Sequence, residues 1–569
     1  MELDIHPNFE RFTVNRSYSV VHVPTNVYDK APDIMNAIHW SESLTHKFSD
    51  NMANDPNLSW QYFGSRSGFI RLYPATKWPQ TEGPDLYDCR IRHWYIKAAA
   101  SPKDLVILLD TSGSMTGLRK DIARGVVYTI LDTLEDNDFV NVLKFSETVE
   151  PVVPCFNGTL VQANKQNIRE FHEHLEDLDT RDIANFSQAL ISAFELLKKC
   201  NLTKNGSQCN QALMLVTDGA PYTFDEIFNH YNWPNISVRV FTYLIGREVT
   251  DIREVNWMAC ANRGYYTHVA TLAEVREQVE KYIPVMSRPI GLSNQHPVTW
   301  TPVSAPPSSP LLSNWLWEER EQAKIKKLRL RQREQRQMEV GEMDMVRDGE
   351  IIGEEIHQIP STIEIILKPK KSKNIQLFTT VAIPAFDPRN YTVRDTKLLG
   401  VAGTDVPIKE ILKLVPSYKL GVNGYAFIIT NNGYVLFHPD LRPLFQDMLK
   451  PGYSSTDLLE VELVNNNLPA REPDEDLQML RREMINRNFG SKQINVKLHQ
   501  DGMRRVVTRT NTYYYGPIKG TPFSLGIVLP EPYGQYRVNG RVLMKVAKPE
   551  ERNWEKYFLG NNWRIHPTW

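Results

Sequence analysis

A short polar loop at positions 110–114 has the residue types and the spacing of a metal site. Asp110, Ser112 and Ser114 alternate along the stretch Asp-Thr-Ser-Gly-Ser. On a tight loop alternate side chains converge, so one carboxylate and two hydroxyls can face a single hard cation. Mg²⁺ prefers about six oxygen ligands and keeps several waters, so a sparse protein shell suits it. The loop therefore predicts a site for a divalent cation, Ca²⁺ or Mg²⁺.

A second carboxylate is expected at the same place. Asp218 ends an apolar segment in Val-Thr-Asp-Gly-Ala, just as Asp110 ends an earlier one. In an open α/β sheet, ligands bind at the carboxyl ends of the strands, so both carboxylates should meet in one crevice. A serine-rich loop after a strand is often only a helix cap, and Ser114 could cap the helix that follows. The pairing with Asp218 favours the metal site.

Parallel strands must position these two loops. The candidate strands are continuous apolar runs, which is typical of strands covered by helices on both faces. Amphipathic helices are predicted between them, and this alternation indicates a doubly wound, Rossmann-like α/β sheet. The predicted strands are Asp104–Asp110, Phe139–Phe145, Ala212–Asp218 and Val238–Ile245, and the predicted helices include Leu118–Leu134 and Ser187–Lys199.

Composition and motifs exclude two classes of function. The 66 lysines and arginines almost balance the 67 aspartates and glutamates, so no basic field favours nucleic acid. A phosphate loop of Walker type, a G-x-S-x-G elbow, an H-E-x-x-H helix and a C-x-x-C zinc pattern are all missing from the sequence. We therefore expect a protein that is not an enzyme and does not bind nucleic acid.

Glycosylation signals indicate the secretory pathway. The chain starts without an apolar signal region, has no apolar stretch of about 20 residues, and carries an odd number of cysteines, five. We interpret it as a fragment of a longer protein at the extracellular face of the plasma membrane, with its signal and its membrane attachment in missing parts. The sequons begin at Asn15, Asn57, Asn157, Asn185, Asn201, Asn205, Asn235 and Asn390.

The character of the sequence changes along the chain. A Pro/Ser linker at 303–310 and a dense charged run at 318–338 follow the α/β region. Strand-like segments then return as an antiparallel α+β region, with a hairpin over Tyr425–Phe437 that turns at Asn432-Gly433. The expected divisions are 1–100 (flanking segment), 101–288 (α/β domain), 289–362 (linker and charged insertion), 363–540 (α+β domain) and 541–569 (truncated segment).

The metal motif resembles the metal-ion-dependent adhesion site of von Willebrand factor A (VWA) domains, and residues ~100–285 resemble that family throughout. The resemblance implies that Asp110, Ser112 and Ser114 hold the ion and that Asp218 contributes through water. A carboxylate of a partner would complete the shell. In VWA domains a second loop usually adds a threonine, but here Ala184 occupies that position. We therefore expect a retained but weakened divalent site.

The wider sequence resembles the alpha-2/delta auxiliary subunits of voltage-gated calcium channels, in which a VWA domain is inserted within tandem Cache domains. The similarity rests on segments before and after the VWA region and implies a non-catalytic subunit. Such a subunit binds the pore-forming alpha-1 subunit through the metal and promotes surface expression and current. The similar segments are 60–65, 90–96, 256–275, 400–411, 424–439 and 512–526.

The same resemblance implies an amino-acid pocket in the first Cache domain. Arg92 would bind the ligand carboxylate, Trp60 and Trp94 would form walls, and Asp405 would take the ammonium group. These aromatic residues could equally be plain core residues and Arg92 a surface ion-pair partner. Tyr62, Ile70 and Leu72 stand where drug-binding members carry smaller or hydroxylated residues, so the chain is most similar to the gabapentinoid-insensitive branch and we expect no gabapentin binding.

Two alternatives stay open. The metal site alone would also suit a VWA-type extracellular adhesion or matrix-binding receptor, although the Cache-like segments argue against it. For the cysteines, the resemblance implies that Cys209 bridges to a delta segment outside this chain, whereas a local Cys200–Cys209 bridge is the other possibility.

Overall fold

The apolar segments between residues 103 and 269 form a mostly parallel sheet in a computed structural model of the chain. Strand Lys103–Asp110 lies in the middle and pairs in parallel with Phe139–Phe145 on one side and Asn210–Thr217 on the other. The predicted doubly wound sheet is confirmed, with strand ends within two residues of those expected. The sheet is completed by parallel Val238–Ile245 and Tyr266–Val269 and by antiparallel Val149–Pro151 and Val161–Gln162.

Helices cover both faces of this central sheet. Leu105, Ile107 and Leu109 point into one buried cluster, and Val106 and Leu108 point into another, as the two-residue period of a strand requires. Because both faces are buried, the strand is a continuous apolar run. The helices of this region are Leu118–Asp132, Lys165–Glu176, Phe186–Thr203, Asp225–Tyr231, Ile252–Ala261, Val275–Val279, Tyr282–Met286 and Arg288–Leu292.

A second, antiparallel sheet joins residues that lie on either side of the central sheet in the sequence. Strand Leu398–Pro407 pairs with Gln61–Ser65 and with Phe378–Phe386. These late strands belong to the first compact unit, residues 1–304 and 377–407, so the expected division at 363 misplaces them. The other strands of this sheet are Val20–His22, Ile70–Tyr73 and Thr299–Trp300. The helices of this part of the unit are Pro32–Ser41, Leu44–Asn54 and His93–Ala99. A small separate sheet contains Asp4–Ile5, Thr13–Asn15 and Ala75–Thr76.

The chain passes into and out of the central sheet through one buried junction. Helix His93–Ala99, which leads in, contacts both strand Phe378–Phe386 and helix Tyr282–Met286, which leads out. An ion-pair cluster lies beside this helix: Arg90 contacts Asp88 at 2.6 Å and Glu280 at 3.3 Å, and all three side chains are largely buried. The incoming and outgoing segments are therefore held against each other.

The second unit comprises residues 305–376 and 408–569. Its sheet is antiparallel and contains the predicted hairpin, in which Tyr425–Ile429 pairs with Val435–Phe437 and Gly433 adopts a φ of 84° at the turn. Further strands are Leu463–Val464, Gly490–Gln500, Arg505–Pro517 and Ser524–Pro530, a separate pair is Leu444–Phe445 and Met448–Leu449, and the helices are Ile408–Leu414, Ser417–Leu420, Leu458–Val461 and Glu475–Ile485.

The structure describes most, but not all, of the chain. Within the described residues no helix combines the length and the apolar character needed to cross a bilayer. The charged run at 318–338, Asn390 and the segment 541–569 lie outside the described residues. Described are 3–9, 12–23, 31–78, 87–247, 252–292, 296–305, 377–387, 397–421, 423–445, 448–450, 452–465, 474–500 and 505–532.

Candidate metal centre

Asp110 lies where the order of the central sheet reverses. Its strand is the first strand of this sheet along the chain and lies in its middle. The next strands are added on one side of it, and the later strands on the other side. At such a switch point the loops after neighbouring strands diverge and leave a crevice. Asp110 is only 3% exposed, and its two oxygens accept bonds from Ser112 N at 2.9 Å and from Thr217 Oγ1 at 2.7 Å. Burial raises the pKa of this carboxyl, while these hydrogen bonds oppose the rise.

The four predicted metal ligands meet in this crevice. Ser112 Oγ lies 3.0 Å from Ser114 Oγ, and Ser114 Oγ donates to Asp218 Oδ1 at 3.1 Å. Asp218 follows strand Asn210–Thr217, the neighbour of the strand that ends at Asp110. One chain of close oxygen atoms therefore joins the loops after the two central strands.

Arg119 also reaches this cluster, and the sequence analysis did not single it out. Its Nη1 donates to Asp218 Oδ2 at 2.8 Å and to the Ser114 carbonyl at 3.2 Å. The residue lies in the first turn of helix Leu118–Asp132, which starts directly after the metal loop. The sequence shows an arginine five residues after Ser114, but it does not show that this arginine contacts Asp218, which lies far away along the chain.

The second loop of the predicted site also lies against the first. The Asp182 carbonyl accepts from Gly113 N at 2.9 Å, and the Thr111 carbonyl accepts from Arg181 N at 2.9 Å. Asp182 has a φ of 65°, in the region that favours glycine and that aspartate tolerates. Ala184 is partly buried and packs against the core under helix Phe186–Thr203. The loop thus has the expected position but an apolar methyl group at its ligand position.

Exposed apolar side chains lie in the segments that follow these ligands and in the second loop. Ile183 is 86% exposed in the second loop, Tyr222 is 72% exposed four residues after Asp218, and Leu118 is 54% exposed four residues after Ser114. Isolated exposed apolar residues are ordinary, but these three all lie a few residues from the candidate ligands or in the second loop. We call Leu118, Ile183 and Tyr222 the apolar rim below.

The predicted amino-acid pocket is only partly assembled. Asp405 Oδ1 accepts from both Tyr62 Oη and Thr380 Oγ1 at 2.7 Å, and Tyr62 packs on Trp94 with ring centroids 4.7 Å apart. Burial raises the pKa of Asp405 to about 6, although both hydrogen bonds favour the charged form. The hydroxyl of Tyr62 therefore uses the acceptor that the ligand ammonium was expected to find.

The other two pocket residues have partners of their own. Trp60 packs edge-on against Phe9 and Phe12, with centroid distances of 4.7 and 5.7 Å. Arg92 lies over the ring of Tyr87 at 4.5 Å, and its buried Nε has no hydrogen-bond partner among the described residues. Trp94, Tyr62 and Asp405 thus come together, and Trp60 packs both on their cluster and on the one around Phe9, with its carbonyl accepting from Asp405 N at 3.1 Å.

The structure shows which cysteines are buried and which are exposed. Cys200 is buried in its helix and Cys209 is exposed, and neither forms a disulfide in the described part of the chain. Cys89 is also buried, and its thiol lies 3.3 Å from the Gly68 carbonyl.

Among the sequons, Asn15 is partly buried, and the exposed asparagines are Asn57, Asn157, Asn185, Asn201, Asn205 and Asn235.

Three family models match separate parts of the chain. The VWA N-terminal model matches residues 1–78, the von Willebrand factor type A domain model matches 105–220, and the CACHD1 middle domain model matches 424–530. The second match contains Asp110, Ser112, Ser114 and Asp218. It agrees with the VWA resemblance of the central sheet.

Curated relatives match over nearly all of the chain. It is 45% identical over 550 residues to voltage-dependent calcium channel subunit alpha-2/delta-3 of Mus musculus, which covers 96% of this chain and 44% of the relative. It is 42% identical to alpha-2/delta-4 of Homo sapiens (95% of this chain, 42% of the relative) and 35% identical to alpha-2/delta-2 of Homo sapiens (93% and 39%). The chain spans less than half the length of these relatives, and it is more similar to the delta-3 and delta-4 proteins than to delta-2.

Proposed function

We propose that this chain, which is homologous to the alpha-2/delta subunits of voltage-dependent calcium channels over nearly its whole length, is part of a non-catalytic auxiliary subunit of such a channel. In this proposal it binds the pore-forming alpha-1 subunit and raises surface expression and current. It acts at the extracellular face of the plasma membrane, reached by the secretory pathway. The exposed sequons support a glycosylated outer surface.

The homology carries the channel role, and the observation that supports the metal anchor within it is the fit of the oxygen cluster to a divalent cation. Adjacent oxygens of an octahedral Mg²⁺ shell lie about 3 Å apart, because each metal–oxygen distance is about 2.1 Å. The separation of Ser112 Oγ and Ser114 Oγ, at 3.0 Å, matches this spacing, and Asp218 Oδ1 lies 3.1 Å from Ser114 Oγ, beside the site, where a carboxylate that binds through water is expected. A cation could therefore replace these hydrogen bonds with little rearrangement. Carboxylate and hydroxyl oxygens are hard ligands, which suit Mg²⁺ or Ca²⁺.

Each residue has a defined role in this site. Asp110, Ser112 and Ser114 would hold the cation directly, and Asp218 would contribute through water. Thr217 and the Ser112 amide orient the Asp110 carboxylate by hydrogen bonds to both of its oxygens. The cation supplies an open coordination position that a carboxylate of a partner can fill. Since Ala184 offers no oxygen, we expect weaker affinity than in a site with a threonine there.

The surroundings support a protein partner rather than a small ligand. The apolar rim of Leu118, Ile183 and Tyr222 offers contact area around the metal loop. A central charged anchor with apolar contacts around it is the arrangement that gives protein interfaces both orientation and affinity. An acidic residue on an extracellular loop of the alpha-1 subunit is the proposed anchor.

The test is calcium current through a co-expressed alpha-1 subunit. A full-length subunit containing this chain is compared with its Asp110→Ala/Ser112→Ala variant and with Asp121→Ala, which removes a half-exposed carboxylate paired with Arg124 on the following helix. We expect the wild type and Asp121→Ala to raise current and surface expression, and the double variant to lose most of the increase. Equal increases by all three would reject the metal anchor but keep the channel role. No increase by any of them would favour an adhesion receptor.

A further inference from the structure

The protein places one of its own positive charges at the candidate metal centre. Arg119 binds Asp218 Oδ2 at 2.8 Å, while Ser114 Oγ binds the other oxygen of the same carboxylate at 3.1 Å. Asp218 is only 13% exposed, whereas the Arg119 side chain is 39% exposed. The carboxylate is thus built into the site, and the guanidinium approaches it from the solvent side.

This contact opposes the binding of a metal ion. A cation held by Ser112 and Ser114 would stand within a few ångströms of the guanidinium, because Ser114 contacts both Asp218 and, through its carbonyl, Arg119. Two like charges at that distance repel each other, and the partly buried site screens them less than bulk water would. The guanidinium also uses an oxygen of Asp218 that would otherwise accept from a metal-bound water.

The fold provides a place for the guanidinium to move. A pocket of about 290 Å³ adjoins the metal loop and is lined by Arg119 together with Leu118, Ile122 and Arg247. The aliphatic part of Arg119 can stay against Leu118 and Ile122 while its charged end turns from Asp218 toward solvent, away from the like charge of Arg247. Long side chains commonly combine an apolar contact with a solvated charge in this way.

We propose that Arg119 is a tethered competitor of the metal: its guanidinium pairs with Asp218 in the absence of a cation and leaves Asp218 when a cation binds. Arg119 thereby lowers the affinity of the site and sets the cation concentration at which it fills. This proposal rests on the proposed metal centre, and it adds a residue that controls the centre without ligating the ion.

The experiment is calorimetric titration of the chain with MgCl₂, repeated with MnCl₂ and followed by the electron paramagnetic resonance of free Mn²⁺. The variants are Arg119→Gln, Arg119→Lys and Arg124→Gln. Arg124 is a matched control because it is a similarly exposed arginine on the same helix, paired with Asp121 instead of a metal ligand. We expect Arg119→Gln to bind about three- to tenfold more tightly than the wild type, since a weak ion pair and a like charge are both removed.

The other variants separate the possible causes. Arg124→Gln should leave the affinity unchanged, because Arg124 pairs with Asp121 and not with a metal ligand. That result would show that a general loss of positive charge does not strengthen metal binding. Arg119→Lys should stay close to the wild type, because it keeps the charge. Thermal melting of each metal-free variant checks that it is folded. The position of Arg119 on the surface of its helix makes a large loss of stability unexpected.

The outcomes distinguish this proposal from the one it rests on. Equal affinities of wild type and Arg119→Gln, with binding lost in Asp110→Ala, would overturn the role of Arg119 and leave the metal centre intact. No binding by either protein at millimolar concentrations would overturn the metal centre itself. Binding by Arg119→Gln alone would support both proposals and show that Arg119 blocks the site.

Discussion

At the scale of single residues, the weak point of the metal centre is the missing oxygen at Ala184. The second loop is in place, because the Asp182 carbonyl bonds to the Gly113 amide beside the metal loop. Only the side chain is wrong for ligation. A hydroxyl at this position would replace one water of the shell without a change in the backbone.

We therefore predict that Ala184→Thr strengthens Mg²⁺ binding. A protein ligand held in place costs less entropy than a free water, and the gain should be about tenfold in affinity. Calorimetric titration measures it. Ala184→Val is the control, since valine has the shape of threonine without its hydroxyl. Equal affinities of the two variants would contradict a ligand role for this position.

The sequence indicated which candidate ligands lie together, but it did not indicate the contact of Arg119. Asp110, Ser112, Ser114 and Asp218 were expected in one crevice because a local spacing and a strand end determine where each side chain points. The contact between Arg119 and Asp218 joins residues 99 positions apart and depends on a side-chain conformation. No local pattern encodes such a contact.

At the scale of elements, the junction between the incoming and outgoing segments contains an unusual carboxylate. Glu280 is buried, and neither of its oxygens accepts a hydrogen bond from the described residues. Burial raises its pKa to about 7; Arg90 and Arg276 oppose this rise, and Asp88 and Glu277 add to it. The folded protein therefore holds a proton on Glu280 over a range of pH in which the unfolded chain has released it.

This difference gives stability a defined pH dependence. Between the ordinary glutamate pKa and about 7, the folded state binds more protons, so the contribution of Glu280 to stability falls as pH rises, by roughly 1–3 kcal/mol in total. Glu280→Gln should melt at a higher temperature than the wild type at pH 8 and lose this part of the pH dependence. Melting curves from pH 5 to 8 test it, with the exposed Glu173→Gln as control. Parallel curves for wild type and Glu280→Gln would refute the shift.

Elements were predicted well and their sheet partners less well. Strands of the central sheet are recognisable because burial on both faces makes them continuous apolar runs. The segment of strand Phe378–Phe386 was also expected to be strand-like, but it was assigned to the later α+β region, and no strand was predicted over Leu398–Pro407. Leu398–Pro407 pairs instead with residues 61–65, more than 300 positions earlier, and Phe378–Phe386 joins the same sheet by pairing with Leu398–Pro407. Alternating patterns reveal a half-buried strand, but they do not reveal which sheet it joins.

At the scale of the whole molecule, the predicted amino-acid pocket depends on that long-range pairing, which brings Tyr62 next to Asp405. We predict that gabapentin does not bind, because Tyr62 Oη and Thr380 Oγ1 both donate to Asp405 Oδ1 and so occupy one of the two carboxylate oxygens that an ammonium group could use. The melting temperature should stay unchanged as gabapentin is added up to millimolar concentrations. MgCl₂ in the same assay provides the positive control. A dose-dependent rise with gabapentin would show that the pocket opens.

The paired connections of the central sheet also have a mechanical consequence. A domain attached by one linker can swivel freely, and a pull on its far end is transmitted only as tension. Here the two connections are held together at helix His93–Ala99, which contacts helix Tyr282–Met286 and strand Phe378–Phe386. A load applied at the metal loop is therefore shared between two covalent paths. The two connections therefore oppose rotation of the central sheet about either one of them.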